Sequence, residues 1–161
     1  MIRLTRLSLF VLITAFACGG GEARDDTALA DSPAAAPAAN TLYDRLGGRE
    51  AIVAVVDSFV ARVAADSRIN GFFKAAAADP TRMAAFKAKL VDQVCQASGG
   101  PCTYTGKDMK TAHAGMNITN AHFDALVEDL VATLQGFNVA QADQDSLLAI
   151  LGPMRGDIVT K

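Results

Sequence analysis

Apolar residues recur at steps of three and four over four stretches of the chain, the period of helices with one buried face. The first covers residues 51–65, with Ile52, Val55, Val56, Phe59, Val60 and Val63 on one stripe. The second begins at Asp79-Pro80-Thr81, a helix-start signal, and carries Met83, Phe86, Leu90 and Val94 to about Ser98. Ser98-Gly99-Gly100-Pro101 stops it. The third follows Thr119 with Phe123, Leu126, Val127, Leu130, Val131 and Leu134, and Gly136 closes it. The last carries Leu147, Leu148, Leu151, Met154 and Ile158, with a kink expected at Gly152-Pro153. No stretch of useful length alternates with period two, so the expected class is all-α.

Composition narrows the partners. The 161 residues allow one ordinary domain, and 51% of them are hydrophobic, enough for a core. A net charge of −2 carries no basic footprint, so nucleic acid is not an expected partner.

The N-terminal part reads differently. Residues 1–6 are a short basic region, and residues 7–16 form an apolar run too short to span a bilayer. Ala15-Phe16-Ala17 offers small residues where a signal peptidase reads, and Cys18 follows at once. The segment resembles a bacterial lipoprotein signal: residues 1–17 are removed and Cys18 is lipidated. Cleavage of the same bond by an ordinary signal peptidase is the competing reading. Residues 18–40 are Gly-rich, then acidic, then built of Ala, Pro and Asp. They cannot bury enough apolar surface to offset their ordering entropy and read as a disordered tether. The folded domain is expected over residues 41–161.

Two cysteines remain beside Cys18. Cys95 and Cys102 are separated by QASGGP across a helix end. In an exported chain they are expected to form a disulfide; in a cytosolic one they would be free thiols. A redox-active pair is disfavoured by a spacing wider than C-x-x-C and by the lack of a basic neighbour.

The candidate chemistry lies in TAHAGMNITNAHF, residues 111–123. His113 stands just ahead of a Gly-containing break. Thr119 is an N-cap for the next helix, with Ile118 and Phe123 at the spacing of a hydrophobic staple. An imidazole fixed beside a helical wall suits one directional bond to a metal; an ordinary buried histidine is the alternative. His122 falls in the first turn of the next helix, where an exposed or edge position is the simpler reading. Two histidines without a carboxylate cluster make a poor zinc site, and no C-x-x-C-H run is present for covalent haem attachment.

Three motifs occur in order: LYDRLGG at 42–48 before the first long helix, Phe72 and Phe73 after it, and GGPCTYTGKDM at 99–109 ahead of His113. Together they resemble the group 1 truncated haemoglobins over nearly all of residues 41–159. The resemblance implies a two-over-two helical sandwich, non-covalent haem b, iron on His113 and reversible binding of a diatomic gas. It implies further that Phe73 stacks near the haem, and that Phe86 and Leu90 cover the distal face. Met109, Ile118, Phe123 and Leu126 would line the proximal side, and Tyr104 and Lys89 would meet the propionates or haem edge. Each apolar residue also has a plain core-packing reading, and Lys89 and Lys107 one as solvated charges. The chain departs from the family on the distal side. Val60 stands where the family usually has Tyr, and Leu90 where it often has Gln, with Gln93 a turn later.

The expectation is therefore an exported, lipid-anchored haem globin, periplasmic or on a membrane through Cys18, that takes a diatomic gas and is served by an unknown reductase. No catalytic residue is assigned. The rivals are a nitric-oxide detoxifying or peroxidase-like haem enzyme, which needs a polar distal group; a haem sensor or electron carrier, with Lys89 as internal ligand; and a haemless helical lipoprotein.

Overall fold

The computed structural model describes residues 40–161; the signal-like run, Cys18 and the tether up to residue 39 lie outside the described residues. Thr41 opens the fold with a capping box. Its hydroxyl accepts the Asp44 N–H at 3.2 Å, and the Asp44 carboxylate accepts the Thr41 N–H at 2.9 Å. This starts α1 (Leu42–Arg45), too short to show a period. Gly47 and Gly48, with φ of 89° and 72°, turn the chain through the left-handed region that side chains avoid. Then comes α2 (Gly48–Ala65). It starts ahead of Ala51 because the apolar period registers only where apolar residues begin.

A 3₁₀ turn (Asn70–Phe73) and α3 (Lys74–Ala77) follow. Neither was legible, since an alanine run has no stripe. Asp79 caps α4 (Pro80–Ala97), its Oδ1 accepting the N–H groups of Thr81 at 2.7 Å and Arg82 at 3.1 Å. After a long connection, Asp108 caps the single turn α5 (Met109–His113) by accepting the Thr111 N–H at 2.8 Å. Next are α6 (Asn120–Gly136) and α7 (Gln141–Leu151). The bend expected at Gly152-Pro153 is a 3₁₀ turn (Gly152–Met154), which separates α7 from α8 (Arg155–Ile158). No strand occurs among the described residues.

Helix α2 is central, packing on both α4 and α6. Ile52, Val56, Val60, Val91 and Cys95 make a buried cluster between α2 and α4. Leu42, Leu134 and Leu147 join α1, α6 and α7, while Val63, Ile69 and Ala125 close the far end of α2. Fully burying one such side chain contributes about 1.5–3 kcal/mol. Beyond α8 the backbone returns to the entry of α6. The N–H groups of Thr160 and Lys161 donate to the Ile118 carbonyl at 2.9 and 3.1 Å, and the Ile118 N–H donates to Thr160 Oγ1 at 3.1 Å. These bonds hold the segment between α5 and α6 in place.

Candidate functional site

A cavity of about 720 Å³ lies among α2, α4, α5 and α6. That is in the roughly 300–1,000 Å³ range of sites for drug-sized or cofactor-sized ligands. Its walls are predominantly apolar. Helix α4 brings Phe86, Leu90 and Gln93, with Lys89 at the mouth; α2 brings Val55 and Phe59; α6 brings Phe123 and Leu126. Met109, His113, Ile118, Phe73 and Tyr104 also line the cavity. Phe73 packs against Phe86, ring centroids 5.7 Å apart. The ten residues given a cofactor role on the strength of resemblance thus line one cavity. Several lining residues carried no such role: Val55, Phe59 and Met154 were only part of a stripe, Phe72 was only part of a motif, and Met116 lacked a signal beyond being apolar.

The two histidines meet opposite backbone groups. His113 Nδ1 lies 2.7 Å from the carbonyl oxygen of Met109, one turn back in α5. A carbonyl only accepts, so Nδ1 carries the proton and Nε2 keeps its lone pair. Such a bond fixes both ring orientation and tautomer in metal-ligating histidines. His122 is the reverse case. Its Nδ1 accepts the Thr119 N–H at 3.2 Å, completing a capping box, so its proton sits on Nε2. Its ring meets Phe72 edge-on at 4.9 Å. His113 therefore offers a free nitrogen donor, and His122 does not.

The distal side is short of donors. Val60, at the position where the family usually has Tyr, does not reach the cavity; it is 8% exposed and packed in the α2–α4 cluster. Gln93 does line the cavity, but its amide nitrogen contacts the sulfurs of Met109 at 3.5 Å and Met154 at 3.4 Å. Thioethers are weak acceptors, so this amide is only loosely engaged.

At the mouth, the Tyr104 ring lines the cavity while its hydroxyl donates to the Lys107 carbonyl at 2.8 Å. Burial raises the Tyr104 pKa and the nearby Asp108 charge adds to it, so the phenol keeps its proton. The cationic groups at this edge are Lys89 and Lys107, both exposed. Cys95 and Cys102 are joined by a disulfide. An imidazole whose Nε2 has no protein partner, an apolar cavity and cations at its rim together fit an apolar macrocycle with acidic side arms and a central metal.

The profile of the family described as bacterial-like globin matches residues 41–160. The chain is 38% identical to a group 1 truncated hemoglobin of Tetrahymena pyriformis over 121 residues, covering 75% of this chain and 96% of the relative. It is 37% identical to a group 1 truncated hemoglobin of Mycolicibacterium paratuberculosis over 120 residues, 74% of this chain and 85% of that one. Among solved structures, the Fe(III) form of the Tetrahymena pyriformis protein superposes with a TM-score of 0.68 over 75% of this chain and 99% of that one, at 38% identity. The 2/2 hemoglobin of a Synechococcus species, in a cyanomet state with covalently attached heme, gives a TM-score of 0.67 at 36% identity, with 75% and 99% coverage.

Proposed function

The chain belongs to the bacterial-like globins, within the group 1 truncated haemoglobins, and from that premise we propose that it binds haem b on His113 and reversibly takes a diatomic gas on the opposite face. His113 would hold the haem iron through Nε2, and bound haem would supply the metal on which a small gas molecule binds. The observation that carries the reading is the His113 ring, whose Nδ1–H is fixed on the Met109 carbonyl within an apolar cavity. Met109, Ile118, Phe123 and Leu126 form the wall on the His113 side. Phe86 and Leu90 would cover the gas side, Phe73 would pack against the haem edge, and Lys89 and Lys107 would meet its carboxylates. Phe86 and Leu90 have no donor to give, so the pocket favours a gas that gains little from a hydrogen bond when bound, such as carbon monoxide, over oxygen, which becomes negatively polarised when bound. The same lack argues against nitric-oxide dioxygenase chemistry, which uses a stabilised oxygen.

Absorption spectra of the purified protein, oxidised, reduced and under carbon monoxide, test the assignment. His113→Ala should abolish or strongly weaken haem retention, while His122→Ala leaves the spectrum unchanged. The opposite pattern would refute it.

We propose also that the protein works outside the cytoplasm, with residues 1–17 as a signal and Cys18 as lipid acceptor. A disulfide in the folded domain is in keeping with an oxidising compartment. Fractionation of cells producing the Cys18→Ala form should show the domain released from membranes or left unprocessed; equal membrane association of both forms counts against the anchor.

A further inference from the structure

The connection 98–108 joins the two walls of the haem slot. It leaves α4, which carries Phe86 and Leu90, and arrives at Asp108, which caps the single turn of His113. Tyr104 and Lys107 within it form one lip of the cavity. No helix or strand lies in this connection. The lip packs on itself: a Cβ added at Gly106 would lie 2.1 Å from the Tyr104 hydroxyl oxygen, and that hydroxyl closes onto the Lys107 carbonyl. Its place therefore depends on its ties to α4. One is the Tyr104 N–H, which donates to Gln96 Oε1 at 2.5 Å. The covalent one is Cys102 to Cys95, a fully buried residue in the last turn of α4.

We propose that the Cys95–Cys102 disulfide positions the lip at 104–107, and that its reduction loosens the hold on haem. The proposal rests on the haem reading above. Gly99 and Gly100 already donate to the Gln96 and Cys95 carbonyls at 3.1 and 2.8 Å, so the cross-link moves the last fixed point before the lip from Gly100 to Cys102 and shortens the span from 101–108 to 103–108. A shorter span samples fewer arrangements. Helix α5 is a single turn, and its cap, Asp108, is the last residue of that span. Opening takes two electrons from a dithiol. One of its thiolates attacks Cys102 Sγ, the half-buried sulfur, and Cys95 leaves as a thiolate and takes up a proton. The second thiol of the reductant then attacks the mixed disulfide. The reductant departs as a cyclic disulfide, and Cys102 becomes a thiol. Contrary to the expectation that no basic residue neighbours the pair, Arg49 stands beside Cys102, with Nη1 3.1 Å from Sγ and 2.9 Å from Asp92 Oδ1. Its positive charge favours a Cys102 thiolate, the species that would re-form the bond under oxidising conditions.

The test is haem transfer from the loaded protein to excess apomyoglobin, followed by absorbance. It is run before and after equilibration with a dithiol, with the iron kept in one oxidation state and thiols counted by alkylation and mass spectrometry. The reduced protein should keep its haem spectrum but transfer haem about tenfold faster, and reoxidation should restore the slow rate. The Cys95→Ser/Cys102→Ser double variant should be fast under both conditions. Equal rates from the oxidised and reduced wild-type protein overturn the proposal, whether or not the double variant folds. Thr133→Ala removes a buried α6 side chain that does not line the cavity, and leaves the disulfide and the connection 98–108 intact. Acceleration there as large as on reduction would mean general destabilisation, and also overturns it. A wild-type protein that takes up no haem overturns the functional reading as well, an outcome distinct from equal transfer rates.

Discussion

Leu90→Gln would place a hydrogen-bond donor on the face of α4 that lines the cavity opposite His113. Oxygen held there carries partial negative charge, and a hydrogen bond to a charged acceptor is worth about 1.5–3 kcal/mol. At tenfold per 1.36 kcal/mol, oxygen release should slow roughly 10- to 150-fold. Carbon monoxide is far less polar, and its release should change by a small fraction of that. Leu90 is half-buried, so the stability cost is part of the roughly 1.5–3 kcal/mol for a fully buried leucine, which the folded protein should tolerate. A tyrosine at Val60 is a poorer test: that side chain is buried in the α2–α4 cluster, where added bulk costs about 1–3 kcal/mol in strain. Stopped-flow displacement of oxygen and flash photolysis of the carbon monoxide form give both rates. If oxygen release is unchanged, or both gases slow equally, the apolar-pocket account is wrong. Gln93→Leu is the companion experiment. With its amide on two sulfurs, its loss should leave oxygen release near the wild-type value; marked acceleration would identify Gln93 as a donor already in use.

Two further outcomes are expected. Asp108→Ala removes the side-chain cap of α5 and should cost about 0.5–2 kcal/mol in chemical denaturation, with a shifted iron–histidine stretching band in the Raman spectrum that Asp108→Asn largely restores; an unshifted band in Asp108→Ala would detach the cap from the imidazole. Asp129 is buried with Oδ2 unpartnered, and burial, with the nearby Asp66 charge, raises its pKa above the ordinary carboxylate value. A raised folded-state pKa means that the native protein is favoured while Asp129 is protonated and loses that advantage as pH rises through the folded value, so Asp129→Asn should raise the melting temperature at pH 7 and lose the gain near pH 3, whereas a gain that grows on acidification would reverse the sign.

α2 and α7 have no side-chain cap and were legible from the apolar stripe alone, whereas two other helices satisfy two demands at once. α4 and α6 each pair an apolar stripe with a side-chain cap, Asp79 and Thr119, and either signal alone would mark a boundary. α5 has a cap, Asp108, but only five residues, too few for a period, and it appeared in the sequence as a histidine segment rather than a helix. α1 has a cap and no length; α3 has neither cap nor stripe. Within a legible helix, periodicity separates buried from exposed but cannot separate core from cavity. Val55, Phe59 and Val60 share one stripe of α2, yet the first two line the cavity and the third packs behind it. The chemistry of the two histidines was likewise out of reach, because it depends on whether each ring meets a carbonyl or an amide.

That last difference has a bearing on which metals the protein admits. A hydrated ion gives up water only for a set of donors that replaces it, and among the described residues no group of three or more His, Cys, Asp or Glu is assembled to do so. The free nitrogen of His113 stands alone in an apolar wall, and the second imidazole has its lone pair on a backbone N–H. For a free zinc or copper ion the slot is a loss of four or five water ligands against one nitrogen. A metal that arrives with its equatorial ligands already in a macrocycle faces no such loss and needs only the fifth bond. The cavity thus sorts metals by their packaging more than by their identity, with no element dedicated to rejecting the wrong one.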